Sequence, residues 1–346
     1  MSRTIEAITK HRGVPSDKEE NQIMKAVRVH KYGGPEVLQY EDAPRLQVSA
    51  AGEVLIRVYA AGVNPVDCAI RAGRVQEIFP VSFPWIPGWD LSGVVEEVGA
   101  DVTKFNKGDE VFAIPDATRN GAYAEYIVAR ESEVALKPKS LHHIRAAAVP
   151  VAAITAWNAL FDTAQLQPGQ RVLIHGGAGG VGHFAVQLAK RKGAHVIATA
   201  SAKNHELVYE LGADEVIDYQ AQKFEDVARK IDIVLDPIGS DTQERSWKVL
   251  KKGGILVSIV QPPSEEKARS VGARGAMVQS RPDGAKLAEI AKIIDSGQLA
   301  PVINRILPLS EARRGHELSQ SGHTHGKIVL RVWNGNGTAE KSDDRK

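Results

Sequence analysis

Apolar and polar positions along the chain follow two rhythms, and the change between them falls near Pro150. Before it, short runs dominate. Residues 25–30 (Lys-Ala-Val-Arg-Val-His) alternate, and residues 54–59 (Val-Leu-Ile-Arg-Val-Tyr) form a compact apolar run. Gly33-Gly34-Pro35 and Ala51-Gly52 supply turn signals between them, and residues 92–99 and 109–113 continue the pattern. Short strands punctuated by Gly and Pro predict a β-rich domain. Beyond Pro150, strands over 172–175, 196–199, 231–235 and 255–259 alternate with helices over 181–192 and 202–211. That alternation implies parallel strands joined by crossover helices. Another helix is predicted over 285–296, with Leu287, Ile290, Ala291 and Ile294 on one face, and a last strand over 327–332 returns to the first domain. The expected fold class is α/β: a doubly wound parallel sheet plus a β-rich domain. The β-rich domain is expected over 24–151 and 298–334, the parallel α/β one over 152–297. Residues 1–23 are polar and carry Glu6, Asp17, Glu19 and Glu20; they read as a disordered leader and not as a secretory signal. Residues 335–346 read as a flexible tail.

Composition narrows the function classes. The one cysteine, Cys68, rules out an intrachain disulfide and a four-cysteine zinc lobe. It suits a reducing compartment, so a cytoplasmic location is expected. The formal net charge of +2 comes without a long basic block, so nucleic acid is not an expected partner. No apolar stretch reaches the roughly 18–20 residues of a membrane span, and none is expected.

The strongest chemical signal is Gly177-Ala-Gly179-Gly180-Val181-Gly182, which fits G-x-G-x-x-G between a predicted strand and a predicted helix. In such a loop the first glycine allows the tight turn, the second a close approach of pyrophosphate, and the third close packing of helix on strand. The helix N-terminus offers free N–H groups to phosphate. A site for NAD would carry Asp or Glu at the end of the second strand, to hold the ribose 2′-OH. Ala200 stands there, followed by Ser201, Lys203 and Asn204. A 2′-phosphate is attracted by lysine and bonded by Ser and Asn, so NADPH is the expected cofactor. Ser201 also reads as a helix N-cap.

Further motifs carry a resemblance. Ala61-Gly-Val-Asn-Pro-Val-Asp67, Pro87-Gly-Trp-Asp-Leu-Ser-Gly-Val-Val-Glu-Glu-Val-Gly99, Phe105-Asn-Lys-Gly-Asp-Glu-Val-Phe112, Gly121-Ala-Tyr-Ala-Glu-Tyr126 and the glycine loop resemble the medium-chain dehydrogenase/reductase superfamily. The nearest likeness is to its zinc-free quinone oxidoreductase branch, which includes zeta-crystallin-like enzymes and plant alkenal/enone reductases. The resemblance implies a GroES-like catalytic domain, a Rossmann domain and an active cleft between them. Zinc alcohol dehydrogenases of this superfamily place Cys where this chain has Asn64 and His-Glu where it has Trp89-Asp90. Asn and Trp are not useful zinc ligands, so no metal is expected. His323 and His325 read as a polar loop.

The resemblance also assigns candidate residues. Asn64 and Thr155 would lie beside the nicotinamide, although Asn64 also reads as a turn cap and Thr155 as bonding its own helix backbone. Asp67 is placed similarly, or caps the helix through Arg71. Tyr219, Pro237-Ile238-Gly239, Ser258-Ile259-Val260 and the terminal Gly326-Lys327 would meet the cofactor. Where relatives often carry Tyr or Lys two positions after the Asp, this chain has Ala69, which can neither donate a proton nor carry charge. The expected activity is NADPH-dependent, zinc-free hydride transfer to the C=C of α,β-unsaturated carbonyl compounds. The small-molecule electrophile would be an enone or enal, or alternatively a quinone. A cofactor-binding structural or RNA-binding role is a more distant alternative. Relatives pair through a Rossmann edge strand, here around 273–278, so a homodimer is expected.

Overall fold

The computed structural model describes residues 23–116 and 118–333. The expected leader over 1–23, save its last residue, and the expected tail over 335–346 lie outside the described residues.

The first part folds into β1 (Ile23–Val29), β2 (Leu38–Pro44), β3 (Glu53–Val63), β4 (Asp90–Val98), β5 (Glu110–Ala113), β6 (Tyr126–Arg130) and β7 (Val134–Leu136). The second supplies β8 (Arg171–Ile174), β9 (His195–Ala200), β10 (Glu215–Asp218), β11 (Ile231–Asp236), β12 (Leu250–Ser258) and β13 (Arg274–Met277). The chain then returns with β14 (Ile303–Pro308) and β15 (Lys327–Arg331). Five helices position the site: α1 (Pro65–Arg71), α2 (Pro150–Trp157), α3 (Gly182–Arg191), α4 (Gly284–Asp295) and α5 (Ala312–Gln320).

The strands form three sheets. β1 and β2 pair as an antiparallel ribbon. β14-β15-β3-β4-β5-β7 run side by side, with β6 also on β3. β10-β9-β8-β11-β12-β13 form a six-stranded sheet whose pairings are all parallel. Counted within itself, that order is 3-2-1-4-5-6, the doubly wound Rossmann order, in which the direction of winding reverses at β8. β11 is buried at every position and β9 at all but its first, as expected of strands with both faces covered. We propose that the parallel sheet and the seven-stranded sheet mark two domains with the boundaries expected above. Amide exchange as two cooperative units would support that division, and exchange as one would contradict it.

One expectation needs correcting. The stretch His143–Thr163 is long and apolar enough to cross a membrane by length and composition. Yet 72 % of its apolar window is buried inside the protein, so it is a core helix. It escaped the sequence reading because His143, Arg145 and Pro150 interrupt the apolar run, although its mean hydropathy stays high.

The register of the seven-stranded sheet brings three distant residues together. Ile328 lies opposite Val63, and Gly62 lies opposite Asp90. Asn64 therefore leaves the end of β3 between Lys327 at the start of β15 and Asp90 at the start of β4. Gly62 makes the fit possible: a Cβ there would lie 2.7 Å from Asp90 Oδ2 and 2.6 Å from the Ala147 carbonyl.

Candidate active site

The glycine loop follows β8 at the point where the winding reverses, and α3 begins at Gly182 with Val181 at its N-cap. The tight turn falls one residue earlier than the motif suggests. Gly176 holds the left-handed conformation, at φ +59°. Gly177 is required for a different reason: a Cβ there would lie 2.8 Å from Ala198 Cβ on β9. At Gly182 a Cβ would lie 2.1 Å from the Gly176 carbonyl oxygen, so helix and strand end pack through bare backbone. At Gly180, by contrast, nothing would come closer than 3.6 Å. The loop has the form of a cradle, packed tightly at Gly177 and Gly182 and in ordinary contact with the Gly326 carbonyl and the Lys327 stem at Gly180. A nicotinamide dinucleotide fits it as the chemistry of such loops requires.

The other candidate cofactor residues lie along the same sheet edge, because the strands are parallel. Ala200 ends β9. Ser201 follows it and receives Asn204 Nδ2 at 3.2 Å, while Lys203 stands exposed without an ionic partner among the described residues. Ser201 makes no side-chain cap bond to the turn that follows; its backbone carbonyl accepts from Asn204 N at 2.9 Å. Tyr219 follows β10 half exposed. Pro237-Ile238-Gly239 follows β11, held by Asp236 Oδ1, which accepts from Ile238 N at 3.0 Å and Gly239 N at 2.8 Å. After β12, Ser258 Oγ accepts from Val260 N at 3.3 Å, and Ile259 N donates to the Asp236 carbonyl at 3.2 Å. The backbone N–H groups of Ile259 and Val260 are thus engaged, and the Ser258 carbonyl accepts from Val278 N at 2.9 Å.

Gly326 ties the returning strand to this loop, its N–H donating to the Ala178 carbonyl at 2.7 Å. The Lys327 stem then passes Gly180, and its ammonium reaches Asn64 Oδ1 and, at 2.8 Å, Asp90 Oδ2. Asn64 Nδ2 donates to the same Asp90 oxygen at 2.9 Å. Asp90 Oδ1 accepts from Val151 N, an orphan donor of the first turn of α2, at 2.6 Å. All three side chains are buried. On α2, Thr155 donates its hydroxyl to Val151 O at 2.6 Å, so the bond to its own helix backbone is made; it also meets Ser280 Oγ, which the sequence reading missed. Trp89 is buried edge-to-face with Phe79, and its indole N–H has no partner among the described residues.

Asp67 does cap α1, but not through Arg71. Its Oδ2 accepts from the backbone N–H of Asn64 at 2.8 Å, the reciprocal arm of a capping box. The same oxygen accepts from Tyr123 Oη at 3.3 Å. Tyr123 Oη lies 3.2 Å from His316 Nε2, and His316 Nδ1 lies 3.1 Å from Arg71 Nη1. Asp67 Oδ1 is buried with no hydrogen-bond partner among the described residues. Burial pushes the Asp67 carboxyl up to about 7, opposed by the bond from Asn64 and reinforced by the nearby charge of Asp90. Burial, and then Asp67, push the Cys68 thiol up to about 12, which makes it an inert core residue and not a nucleophile. No cluster of three or more His, Cys, Asp or Glu able to hold a metal occurs among the described residues. His323 bonds the Ser321 carbonyl, and His325 bonds Asn304.

The buried histidines predict a pH effect on stability. Burial holds His175 and His316 down to about 3 and His183 to about 4. Their folded values lie below the unfolded value of about 6.5, so the unfolded chain takes up protons first as pH falls. Their contribution is fully present above about pH 6.5 and is lost as pH falls through 4 to 3. Asp67 acts oppositely: its raised value gives stability present below about pH 4 and lost as pH rises through 7. Between about pH 4 and 6.5 the three histidines outweigh the one carboxyl. Urea unfolding midpoints should therefore fall as pH is lowered from about 6.5 towards 5, and a midpoint that rises would contradict the balance.

Residues 50–139 match the family described as alcohol dehydrogenase GroES-like domain, and residues 211–330 the family described as zinc-binding dehydrogenase. The chain is 34 % identical to the mitochondrial NAD(P)H oxidoreductase RTN4IP1 of Danio rerio, covering 90 % of this chain and 92 % of that protein. It is 36 % identical to the 2-methylene-furan-3-one reductase of Solanum lycopersicum, over 89 % of this chain and 79 % of that one. Among solved structures, the quinone oxidoreductase from Coxiella burnetii superposes with a TM-score of 0.83 at 36 % identity, over 90 % of this chain and all of that one. A mycobacterial protein complexed with NADPH superposes with a TM-score of 0.79 at 30 % identity, over 89 % of this chain and all of that one.

Proposed function

The chain belongs to the medium-chain dehydrogenase/reductase superfamily, in its quinone oxidoreductase branch, and on that premise we propose that it reduces the C=C of α,β-unsaturated carbonyl compounds with NADPH and without zinc. The observation that carries this reading is the ammonium of Lys327 seated on Asn64 and Asp90. A cation already compensates the one carboxylate of the set, and an amide and an indole are poor zinc donors, so the residues do not fit a catalytic zinc. Without a Lewis acid, the acceptor must take up charge through its own carbonyl, as an enone does. The tomato relative, whose name describes a ketone beside an exocyclic methylene, supports that class. NADPH, when bound, supplies hydride; the glycine cradle, Ser201, Lys203 and Asn204 would hold it. Stoichiometric zinc in purified protein would overturn the metal-free reading.

The test is NADPH consumption with a short enone and with a naphthoquinone. Turnover of the enone is expected. Clear quinone turnover without it would favour the second reading, quinone reduction, which the Coxiella relative supports. The phosphate end has its own test. Losing a charged hydrogen-bond donor costs about 1.5–3 kcal/mol, so Lys203→Ala is expected to raise KM for NADPH by about 10- to 100-fold and leave NADH little changed. Equal effects on both cofactors, or a wild-type preference for NADH, would refute the 2′-phosphate assignment.

Two further expectations stay with this proposal. The exposed strand β13 ends the parallel sheet, and we assign it as the seam of a homodimer; a monomer mass in sedimentation equilibrium would refute that. The location proposed is the cytoplasm, which suits a chain with one unpaired, buried cysteine. Fractionation to mitochondria, the location in the zebrafish relative's name, would overturn it.

A further inference from the structure

A cavity of about 480 Å³ lies apart from the glycine loop and the Lys327 cluster, at the far ends of α2 and α3. Its volume falls within the range of small-molecule sites, roughly 300–1,000 Å³. α2 starts beside Asp90 and ends at Trp157, and α3 starts in the glycine loop and ends at Arg191. The two helices pack against each other, and the last residues of both line the cavity. At 1.5 Å per residue, α3 sets it about 15 Å from the loop. One wall is aromatic. Beyond Trp157 the helix widens into a π-helical turn over Asn158–Thr163, a feature that concentrates at functional sites. The turn holds Phe161 edge-to-face against Trp157, with ring centroids 4.9 Å apart at 83°. Both rings are only half-buried, while Leu166 behind them is buried. Gln165, also on the wall, holds the left-handed conformation at φ +53°, uncommon for a residue with a side chain. The rim is cationic. Arg191 and Lys192 are exposed, and neither meets a carboxylate among the described residues. Arg191 uses only Nε, which donates to Gln298 Oε1 at 2.8 Å. Lys190, one residue earlier, is by contrast paired with Asp214. Cations complement the negative end of a helix dipole wherever they stand there. That accounts for their sign, but not for two of them left unpaired over a half-open aromatic hollow.

We propose that this cavity binds a planar aromatic carboxylate of one or two rings, as a ligand separate from both the cofactor and the acceptor. Its ring lies against Trp157 and Phe161, since aromatic pairs gain from offset and edge-to-face contact beyond the area they bury. Its carboxylate faces Arg191 and Lys192, and a guanidinium takes a carboxylate through two parallel N–H donors. The Gln165 side-chain amide adds a neutral donor on the same wall. A neutral ring compound would keep the apolar contact and lose the ionic one. A small aliphatic anion would keep only an exposed, screened charge contact, which is weak by itself. The cavity offers both together, which selects a ligand that carries both. Neither enone nor quinone specificity bears on it.

The test is calorimetric titration of the whole chain with 2-naphthoate, with the neutral 2-naphthalenemethanol and with acetate, each with and without saturating NADPH. A single saturable site for 2-naphthoate is expected, and it should persist with NADPH bound. The alcohol should bind about tenfold more weakly, and acetate should show no saturation. Arg191→Gln combined with Lys192→Gln changes two exposed side chains and leaves the core untouched. It should weaken 2-naphthoate by about tenfold, to the level of the alcohol, and leave the alcohol unchanged. Phe161→Leu keeps an apolar side chain but removes a ring, so it should weaken both ring compounds by about three- to tenfold. Absence of a saturable site for 2-naphthoate would overturn the proposal, as would its displacement by NADPH. Equal 2-naphthoate affinity in the wild type and the double Gln variant, or ring-compound affinities that Phe161→Leu does not lower, would overturn it as well.

Discussion

Lys327→Met is expected to cost about 3–5 kcal/mol of folding stability, the typical loss when one partner of a buried ion pair is removed. The reason lies in what it leaves behind. Asp90 is 0 % exposed, and among the described residues its charge would keep only the hydrogen bonds from the Asn64 amide and the Val151 N–H. Burying a carboxylate without a counter-charge is far more costly than burying it paired. The urea midpoint should drop while the slope stays the same. Adding Asp90→Asn to the same chain removes the orphaned charge and should recover part of the loss, a coupling that a double-mutant cycle would measure. If Lys327→Met alone shifts stability by less than about 1 kcal/mol, the pair is not held as described. The unliganded protein is the right subject, since Lys327 also borders the cofactor loop at Gly180.

The second large effect is expected at Gly182. A side chain there would begin 2.1 Å from the Gly176 carbonyl oxygen and 2.9 Å from its carbon, both backbone atoms that cannot rotate away. Gly182→Val must therefore push the glycine loop from the start of α3. Overpacking of this kind costs about 1–3 kcal/mol in ordinary cores, and more where backbone must move. The displacement opens the cradle, so NADPH affinity should fall by at least about tenfold, which is the equivalent of 1.4 kcal/mol. Gly180→Ala is the control. Its methyl group would meet nothing closer than 3.6 Å, so its melting temperature should match that of the wild type. Equal melting temperatures and NADPH affinities in Gly182→Val and the wild type would show that the loop is not packed as described.

Much of the scaffold was legible in the chain because its signals are local. Strands β8, β9, β11 and the second half of β12 read as apolar runs, since burial on both faces fills most of their positions with apolar side chains. The glycine loop read clearly because its strand–turn–helix context is consecutive. Other pieces were missed: β6 and β7 span five and three residues, and β14 buries only one of its six, so no period shows in them. The left-handed turn was placed on Gly177 and sits on Gly176. A motif records which positions must be glycine, not which of two reasons, conformation or contact, demands each.

The candidate site divides in the same way. Residue types alone made Asn64 and Trp89 poor zinc donors and left Ala200 without a carboxylate for a ribose hydroxyl. What holds Asn64 is a lysine 263 positions away, and what orients Tyr123 is a histidine 193 positions away. No periodicity links such residues; sheet register and the packing of α5 against α1 bring them together. The sequence by itself determined the parallel α/β core, the phosphate cradle and the chemistry its side chains can offer, because these depend on short-range order and on atom types. Only the tertiary structure decided which charge faces which, that Lys327 answers Asp90, and that one Asp67 oxygen is buried without a hydrogen bond among the described residues. Such pairings follow from distances across the fold, and a buried charge or proton takes its properties from the groups that surround it.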